Sequence, residues 1–289
     1  MMIFLASIVL GLGIPMGVFW LLNVTDTKVR TRKELDGVLT IPFLGNIPRH
    51  GNNKGEDSDG IVVRENSRDS VSEAFRIIRT NMDFMRVKSD KLQVVMFTSA
   101  NPGAGKTFVS SNLAMSIAQT NKKVVLVDVD IRKGTLSGIF SNSSNRMGLT
   151  HYLSGSTDKV DDIVGTSEEY EKLDVIFSGP VPPNPAELLL SERFDRLITE
   201  LRKRYDYIIV DNVPAGMVAD ASIVNRVADL TIFVVRSGVM DRRQLPELEN
   251  MYRQEQLHNL SVILNGVPSD HKGYGYGYGY GYGYGYGYG

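Results

Sequence analysis

The 289-residue sequence contains no cysteine and a single tryptophan, and its formal net charge is only −1. The absence of thiols excludes disulfide bonds, cysteine nucleophiles and thiolate metal sites. The four histidines are scattered and show no metal-ligand spacing. Because positive and negative charges nearly cancel, the composition gives no reason to expect a nucleic-acid partner, and we predict none. The length suits one α/β domain with appendages, and the two ends of the chain differ from its middle.

The longest uncharged run lies near the beginning of the chain. Residues 3–24 hold no charged side chain over 22 positions, and a helix of that length measures roughly 33 Å, which is enough to cross a bilayer. A cleaved signal peptide, the alternative, would have a shorter apolar run preceded by basic residues. Here the basic residues follow the run: Lys28, Arg30, Arg32 and Lys33. The positive-inside rule therefore predicts a transmembrane helix over residues 1–24, with the chain after it in the cytoplasm.

The rest of the chain divides into three parts by composition. Residues 25–65 combine a proline-punctuated apolar stretch with a polar, glycine-rich run, which predicts a juxtamembrane linker. Residues 66–270 alternate apolar strands with helical patterns, which predicts a parallel sheet with helices on both faces. Residues 271–289 form the tail, a strict Gly-Tyr alternation from position 273 onward. We expect disorder there, because glycine at every second position makes a regular element costly in entropy.

A phosphate-binding loop is predicted between the first strand of this domain and the helix that follows it. Gly103 and Gly105 allow successive N–H groups to point into one concavity, and the helix dipole adds positive charge there. Lys106 is placed to reach the β- and γ-phosphates of ATP, and the Thr107 hydroxyl to bind Mg²⁺. Ala100 replaces the first glycine of the usual pattern. The predicted nucleotide-binding residues of this loop are Asn101, Pro102, Gly103, Ala104, Gly105, Lys106, Thr107 and Phe108.

Aspartates stand where two later strands end. Asp128 and Asp130 follow one buried strand, and Asp211 follows another. Ligands bind outside the carboxyl ends of parallel strands, so we expect these carboxylates beside the phosphate loop, in a P-loop NTPase-like fold. One such aspartate is commonly a structural cap, but three near a triphosphate require a cation. The prediction is Mg²⁺ with Thr107 as a direct ligand and with Asp128 and Asp211 bound to it directly or through water. The predicted catalytic residues are Lys106, Asp128, Asp130 and Asp211.

Asp130 and Arg132 have more specific predicted roles. Asp130 is the candidate for activating or orienting the attacking hydroxyl group. Arg132 is expected either to neutralise developing phosphate charge or to face the solvent.

The tail supplies a candidate phosphate acceptor. A phenol has a pKa of about 10 and reacts poorly in water, but it becomes a competent nucleophile when held in line with a Mg²⁺-bound γ-phosphate near a base. Eight phosphotyrosines would add roughly −12 to −16 charges and could expel the tail from an acidic site. The alternative is a stacking low-complexity segment. The predicted acceptors are Tyr274, Tyr276, Tyr278, Tyr280, Tyr282, Tyr284, Tyr286 and Tyr288.

Together these motifs resemble those of the bacterial tyrosine autokinases (BY-kinases) of capsule and exopolysaccharide export. ANPGAGKT at 100–107, VVLVDVDIR at 124–132 and YIIVDNVP at 207–214 look like the family's Walker A, Walker A′ and Walker B motifs. PPNPAELL at 182–189 and the tyrosine-rich end also match. The resemblance implies non-specific protein-tyrosine kinase activity: Mg·ATP-dependent phosphorylation of the C-terminal tyrosines between subunits.

The resemblance carries further implications for partners. The family's helix pattern E-x-x-R-x-x-R falls on Glu73, Arg76 and Arg79, and implies a ring-shaped homo-oligomer, typically an octamer. From spacing alone, an intrahelical Glu–Arg pair is the alternative. The family also implies a cognate tyrosine phosphatase, the polysaccharide export and polymerisation machinery, and a location at the bacterial inner membrane with the kinase domain cytoplasmic.

Two positions of this sequence need comment against the family pattern. Asn212-Val213 stands where Thr-Pro usually follows the Walker B aspartate. Asn265 matches a position at which related ATPases contact adenine, although a strand-end cap explains it equally well.

Two other functions remain open from the sequence. One is a membrane-bound ATPase of the MinD/ParA type, but such ATPases carry a lysine at the position of Asn101. The other is a nucleotide-gated, non-catalytic assembly element of the export complex.

Overall fold

The computed structural model describes residues 11–20, 25–50, 60–86, 92–132, 134, 136–140, 147–166, 172–214 and 220–268. Its strands are β1 (Phe43–Pro48), β2 (Val94–Thr98), β3 (Val124–Asp128), β4 (Val164–Thr166), β5 (Leu173–Ile176), β6 (Tyr207–Asp211), β7 (Leu230–Arg236) and β8 (Ser261–Val267). After residue 25 its α-helices are α1 (Arg32–Asp36), α2 (Ser70–Arg86), α3 (Lys106–Ala118), α4 (Leu149–Leu153), α5 (Pro185–Leu190), α6 (Glu192–Arg204), α7 (Asp220–Asn225) and α8 (Leu245–Arg253). Single 3₁₀ turns occur at Leu136–Gly138, Val160–Asp162 and Arg242–Gln244.

The strands form one sheet in the order β1-β8-β7-β2-β6-β3-β5-β4. Neighbouring strands are parallel, with the exception of β4, which runs antiparallel to β5. The predicted parallel sheet is therefore confirmed, with a short antiparallel strand at one edge. Strand β2, which leads into the phosphate loop, is central: β6 and β3 lie on one side of it, and β7, β8 and β1 on the other. The carboxyl ends of these six strands open at the same edge.

Helices cover both faces of the sheet, as the apolar strands predict. Alternate residues of a strand point to opposite faces, so Val94 and Met96 of β2 enter one core, and Val95 and Phe97 enter the other. Helices α6 and α8 pack on the first core, and α2 and α3 on the second. Burial on both faces explains why these strands are apolar throughout rather than alternating.

Helix positions follow the sequence prediction closely in two cases and depart from it in one. The apolar stripe of residues 70 to about 85 and the helical pattern of residues 106–118 each predict a helix, and these are α2 and α3. The sequence after the proline-rich run at 182–185 predicts one helix over residues 186–202. The structure divides it into α5 and α6, because Ser191 between them is extended, with ψ of 150°.

The expectation of a juxtamembrane linker over residues 25–65 does not hold for residues 25–50. Strand β1 pairs in parallel with β8, and its Leu44 and Ile47 are buried against the core beneath α2. The approach is close at Gly45, where an added Cβ would lie 2.8 Å from Cγ1 of Ile78. A short strand that ends in proline reads as a linker in sequence, and the pairing with a strand more than 200 residues later supplies what local propensity lacks. Residues 51–59 lie outside the described residues.

Part of the predicted membrane helix lies within the described residues. Residues 11–20 are helical and exposed, and their large apolar side chains include Phe19 and Trp20. Positions 1–10 and 21–24 are outside the description. Among the residues that the structure describes, none of the helices has both the length and the apolar character of a bilayer-spanning segment.

The burial of β1 predicts a difference in stability between two substitutions in the same segment. Ile47 is 0% exposed, so Ile47→Ala should lower the free energy of unfolding by about 2–4 kcal/mol through the cavity it leaves. Val38 is 43% exposed, and Val38→Ala should change the free energy by less than about 0.5 kcal/mol. Urea unfolding of both variants measures the difference. Equally small effects would show that residues 25–50 do not pack into the domain.

Candidate nucleotide-binding site

The phosphate loop has the geometry that its glycines predict. Gly103 and Gly105 adopt positive φ angles of 75° and 84°, which place them in the left-handed region. Helix α3 begins directly after Gly105, and its first intrahelical bond runs from the Val109 N–H to the Gly105 carbonyl, at 2.9 Å. The N–H groups of the first turn have no partner within the helix and point outward from its N-terminus. The loop is therefore shaped to bind an anion at the central edge of the sheet.

Asn265 holds this loop from the neighbouring strand. Its side chain on β8 is 1% exposed, and its Nδ2 donates a hydrogen bond of 3.0 Å to the Ala104 carbonyl. A Cβ on Gly105 would collide with the same Nδ2. Gly105 is thus required both for its φ angle and for the approach of Asn265. The side-chain amide of Asn265 thus donates one hydrogen bond to the loop backbone, and the contact of Asn265 with adenine stays a prediction.

Asp128 and Asp211 lie side by side at the carboxyl ends of β3 and β6. They are register partners across the two strands, and each is 1% exposed. The two carboxylate oxygens of Asp128 accept hydrogen bonds from the backbone N–H groups of Asp130 and Leu136, both at 3.1 Å. Among the described residues, Oδ1 of Asp211 has no hydrogen-bond partner. One buried carboxylate is therefore fixed by backbone donors, and the other keeps an unsatisfied oxygen.

The pKa values of this pair show how unfavourable two buried negative charges are. Burial, and then the charge of Asp211, raise the pKa of Asp128 to about 8. Burial raises the pKa of Asp211 to about 6, against the opposing effects of a hydrogen bond with Thr107 and the charge of Lys106. Both carboxylates can be ionised together at neutral pH only if a cation compensates them.

The available oxygens fit a hard divalent cation such as Mg²⁺. The hydroxyl of Thr107 contacts Asp211, whose Oδ1 is unsatisfied, and Asp128 is the adjacent carboxylate. Mg²⁺ keeps several waters and needs only one or two protein oxygens. Within the described residues no set of three or more acidic or histidine side chains is arranged to hold a metal. The predicted set of one hydroxyl and two carboxylates therefore suits a metal that is also held by phosphate oxygens.

Asp130 lies in the same acidic group but differs in exposure. Its negative charge raises the pKa of both Asp128 and Asp211, which places the three carboxylates within electrostatic range of one another. Asp130 itself is only partly buried, and Arg132, two residues later, is exposed. The carbonyl of Asp130 accepts the Gly134 N–H at 3.0 Å, which fixes the backbone after the strand. Asp130 is therefore more accessible than the buried pair, and its role toward the attacking hydroxyl stays a prediction.

The structure also includes a contact that motif analysis missed. Nδ2 of Asn101 donates a hydrogen bond of 3.3 Å to Oε1 of Gln244, in the 3₁₀ turn before α8. The same Oε1 accepts the N–H of Asp241, at 3.3 Å. No motif marks Gln244 in the sequence, because its relation to the loop depends on the packing of a distant turn. The side chain of Asn101 thus links the phosphate loop to the 3₁₀ turn of the same chain through Gln244.

The loop after β6 accommodates the unusual Asn212-Val213 pair. Oγ1 of Thr98, at the end of β2, donates a hydrogen bond of 2.9 Å to the Val213 carbonyl. Asn212 is buried, and its own Oδ1 accepts the N–H of Val213 at 2.9 Å. The backbone beyond Asp211 is therefore held in place at these residues.

The three residues of the predicted partner face on α2 do not act alike. Arg76 and Glu73 form an ion pair of 3.0 Å, with side chains that are 29% and 55% exposed respectively. Arg79 instead donates hydrogen bonds to the carbonyl and the hydroxyl of Ser116 on α3, the latter at 3.2 Å. The spacing indicates a common face, but the structure directs Arg79 toward the neighbouring helix.

All eight predicted acceptor tyrosines lie outside the described residues.

Comparisons with known proteins agree with this fold and site. Residues 92–253 match the family described as "AAA domain". The chain is 38% identical over 195 residues to the tyrosine-protein kinase CpsD of Streptococcus pneumoniae, an alignment that covers 68% of this chain and 84% of that protein. It is 37% identical over 205 residues to the tyrosine-protein kinase etk of Escherichia coli, covering 70% of this chain but only 27% of that longer protein.

A solved structure extends the likeness to three dimensions. The kinase domain of the Escherichia coli tyrosine kinase ETK superposes with a TM-score of 0.74 at 32% identity, covering 86% of this chain and all of that domain.

The raised pKa of Asp128 predicts an unusual dependence of stability on pH. The folded pKa of Asp128, about 8, exceeds the unfolded value. The contribution of this group to the free energy of unfolding is therefore fully present below about pH 4 and is lost as the pH rises through 8. In metal-free protein, Asp128→Asn removes this loss. The melting temperature of the variant, relative to wild type, should therefore rise between pH 5 and pH 8.5, by roughly 2–8 °C.

Only the change with pH is diagnostic, because an amide cannot accept both backbone hydrogen bonds and loses some stability at every pH. Differential scanning calorimetry in EDTA at several pH values measures it. A difference between variant and wild type that does not change with pH would contradict the buried, destabilised carboxylate pair.

Proposed function

Since this chain belongs to the bacterial tyrosine-protein kinases, we propose that it transfers the γ-phosphate of ATP to tyrosines of its own C-terminal tail, with one subunit acting on another. The observation that carries the proposal is the buried carboxylate pair, Asp128 and Asp211, beside a formed phosphate loop. A loop that only bound phosphate would not need two desolvated carboxylates at its side. Their presence fits a site that holds a metal-bound triphosphate and transfers its terminal group.

The residues of the site divide the work of the reaction. The N–H groups of the loop and Lys106 bind the β- and γ-phosphates, and Thr107, Asp128 and Asp211 would hold Mg²⁺. When bound, that ion supplies charge neutralisation at the phosphate oxygens. The tyrosine oxygen forms a bond to the γ-phosphorus as the bond to the ADP oxygen breaks. The phenol proton passes to the carboxylate of Asp130, and Arg132 would neutralise charge on the phosphoryl group.

The exit of the chain from the sheet supports the tail as substrate. Strand β8 ends at Val267, at the same edge of the sheet as the phosphate loop. The Gly-Tyr repeat of 17 residues, from 273 to 289, can reach roughly 55 Å when extended, which is far enough to enter the site of a neighbouring subunit. Phosphorylated tyrosines would then be repelled from the site by its three carboxylates, which would release the product tail.

The same proposal includes a setting for the kinase. We infer that the chain is held at the bacterial inner membrane through its N-terminal apolar segment, with the kinase domain in the cytoplasm. The exposed apolar side chains of the helix at residues 11–20 support this. By resemblance to its family, the enzyme would act with the capsule or exopolysaccharide polymerisation and export machinery, and a cognate phosphatase would reverse the modification.

Incubation of the full chain with Mg·ATP should produce a ladder of phosphates on the tail, read by intact mass and peptide sequencing. EDTA should abolish the ladder. Lys106→Ala should remove it by weakening phosphate binding, and Asp130→Asn should slow it by about 10²–10⁴-fold if Asp130 is the base. Lys122→Ala, an exposed lysine away from the loop, is the matched control and should behave as wild type. ADP release with an unmodified tail would identify an ATPase, and a normal ladder in both site variants would refute the residue assignments.

Mixing two defective proteins tests transfer between subunits. Lys106→Ala protein keeps its tyrosines but lacks activity, and a protein with all eight tail tyrosines changed to phenylalanine keeps its site but lacks acceptors. Phosphate should appear on the Lys106→Ala tail only in the mixture. Its absence there, with normal wild-type activity, would restrict the reaction to a single subunit.

A ring-shaped oligomer, with α2 at the interface, is part of the proposal. Because Arg79 is bonded to Ser116 within the chain, its substitution would confuse folding with assembly, whereas Glu73 and Arg76 can be exchanged. Light scattering should give a smaller mass for Glu73→Arg than for wild type, which we expect to be about eight subunits. The exchange Glu73→Arg with Arg76→Glu restores the intrahelical pair but not the pattern that a partner meets. We expect the oligomer mass of this double variant to remain below that of wild type. Recovery of the full mass would show that Glu73 and Arg76 interact only within their own helix.

A further inference from the structure

Arg236 lies beside the phosphate loop at the end of β7, the strand next to β2. Its guanidinium covers the backbone of Gly266, where an added Cβ would be 2.7 Å from Cζ. Its NH1 also lies 3.7 Å from the place where Gly105 would carry a Cβ. The guanidinium therefore occupies a defined position, packed on one glycine and next to another that belongs to the loop.

This guanidinium has unused hydrogen-bonding capacity. Within the described part of the chain, the side chain of Arg236 makes no hydrogen bond and no ion pair, although it is only partly exposed. Burial, and then the positive charge of Arg49, lower its pKa. Arg49 follows β1, where its N–H bonds to the Val267 carbonyl at 2.7 Å. Partial burial and a neighbouring cation both disfavour the charged guanidinium of Arg236. A bound anion would compensate this cost and accept its N–H groups.

The position of Arg236 indicates which anion this is. The carboxylates lie at the ends of β6 and β3 on one side of β2, whereas Arg236 and Arg49 lie on the opposite side, at the ends of β7 and β1. The metal-bound end of a triphosphate belongs on the acidic side. A nucleotide whose β- and γ-phosphates lie in the loop then directs its α-phosphate and nucleoside toward the basic side.

We propose that Arg236 is a nucleotide-binding residue that donates hydrogen bonds to the α-phosphate, with the exposed Arg49 as a second, weaker cation. The proposal rests on the nucleotide-binding role proposed above. The planar guanidinium can present two parallel N–H groups to one phosphate, which a lysine cannot do. Its packing on Gly266 orders the side chain before the nucleotide arrives, which lowers the entropic cost of binding.

The test compares the affinity of the full-length protein for ADP, AMP and pyrophosphate by calorimetry. Arg236→Gln should weaken ADP and AMP by about 10- to 100-fold, as expected for loss of charge-assisted hydrogen bonds. Pyrophosphate, which has no α-phosphate, should bind the variant as it binds wild type. The ADP and AMP affinities of Arg236→Lys should lie between those of wild type and Arg236→Gln, and Arg49→Gln should cause a smaller loss of affinity than Arg236→Gln. Arg196→Gln is the matched control, because Arg196 is 68% exposed on α6, far along the chain from the loop.

Each outcome bears on the proposal separately from the kinase reaction. Unchanged ADP affinity in Arg236→Gln would overturn it. An equal loss for pyrophosphate would overturn it too, by showing that Arg236 acts through the shape of the loop. Failure of the wild-type chain to bind any adenine nucleotide would instead remove the proposed function on which the inference rests.

Discussion

Asp128 and Asp211 occupy neighbouring positions on β3 and β6, almost fully shielded from water, and the two negative charges oppose each other. Such a pair costs stability in the absence of a compensating cation: burial raises the pKa of both groups, and the charge of Asp211 raises that of Asp128 further. The surrounding structure limits it by giving Asp128 two backbone donors and by placing Thr107 and Lys106 near Asp211. The rest of the site follows from this constraint, since the phosphate loop is the element that can bring both an anion and its metal to the pair.

The parallel sheet separates charge along its edge. The aspartates end strands on one side of β2, and Arg236 and Arg49 stand at the ends of strands on the other side. This separation would give a bound nucleotide a direction, because the carboxylates suit its metal-bound terminal phosphates and the guanidinium groups suit a phosphate that carries no metal. Asn265 on β8, which lies on the basic side between β7 and β1, secures the loop by a hydrogen bond to the Ala104 carbonyl.

Features that depend on local sequence were predictable, and features that depend on distant contacts were not. The phosphate loop and the aspartates at strand ends belong to contiguous motifs, so their association at one edge followed from parallel strand order alone. Strand β1 was not recognised, because its pairing with β8 is what makes a proline-bounded apolar stretch a strand. Arg79 shares its helical spacing with Glu73, yet it turns to Ser116, and spacing cannot give the direction of a long side chain.

The integration of residues 25–50 also changes how the site is supported. The carbonyl of Thr27 accepts the N–H of Arg242 at 2.7 Å, and its hydroxyl bonds to Asp241 at 2.8 Å. Asp241 in turn shares Oε1 of Gln244 with Asn101 of the phosphate loop. A continuous series of hydrogen bonds therefore joins the segment before α1 to the loop. Because each bond fixes the next donor, the position of the phosphate loop depends on the segment before α1, which the sequence alone predicts to be a linker.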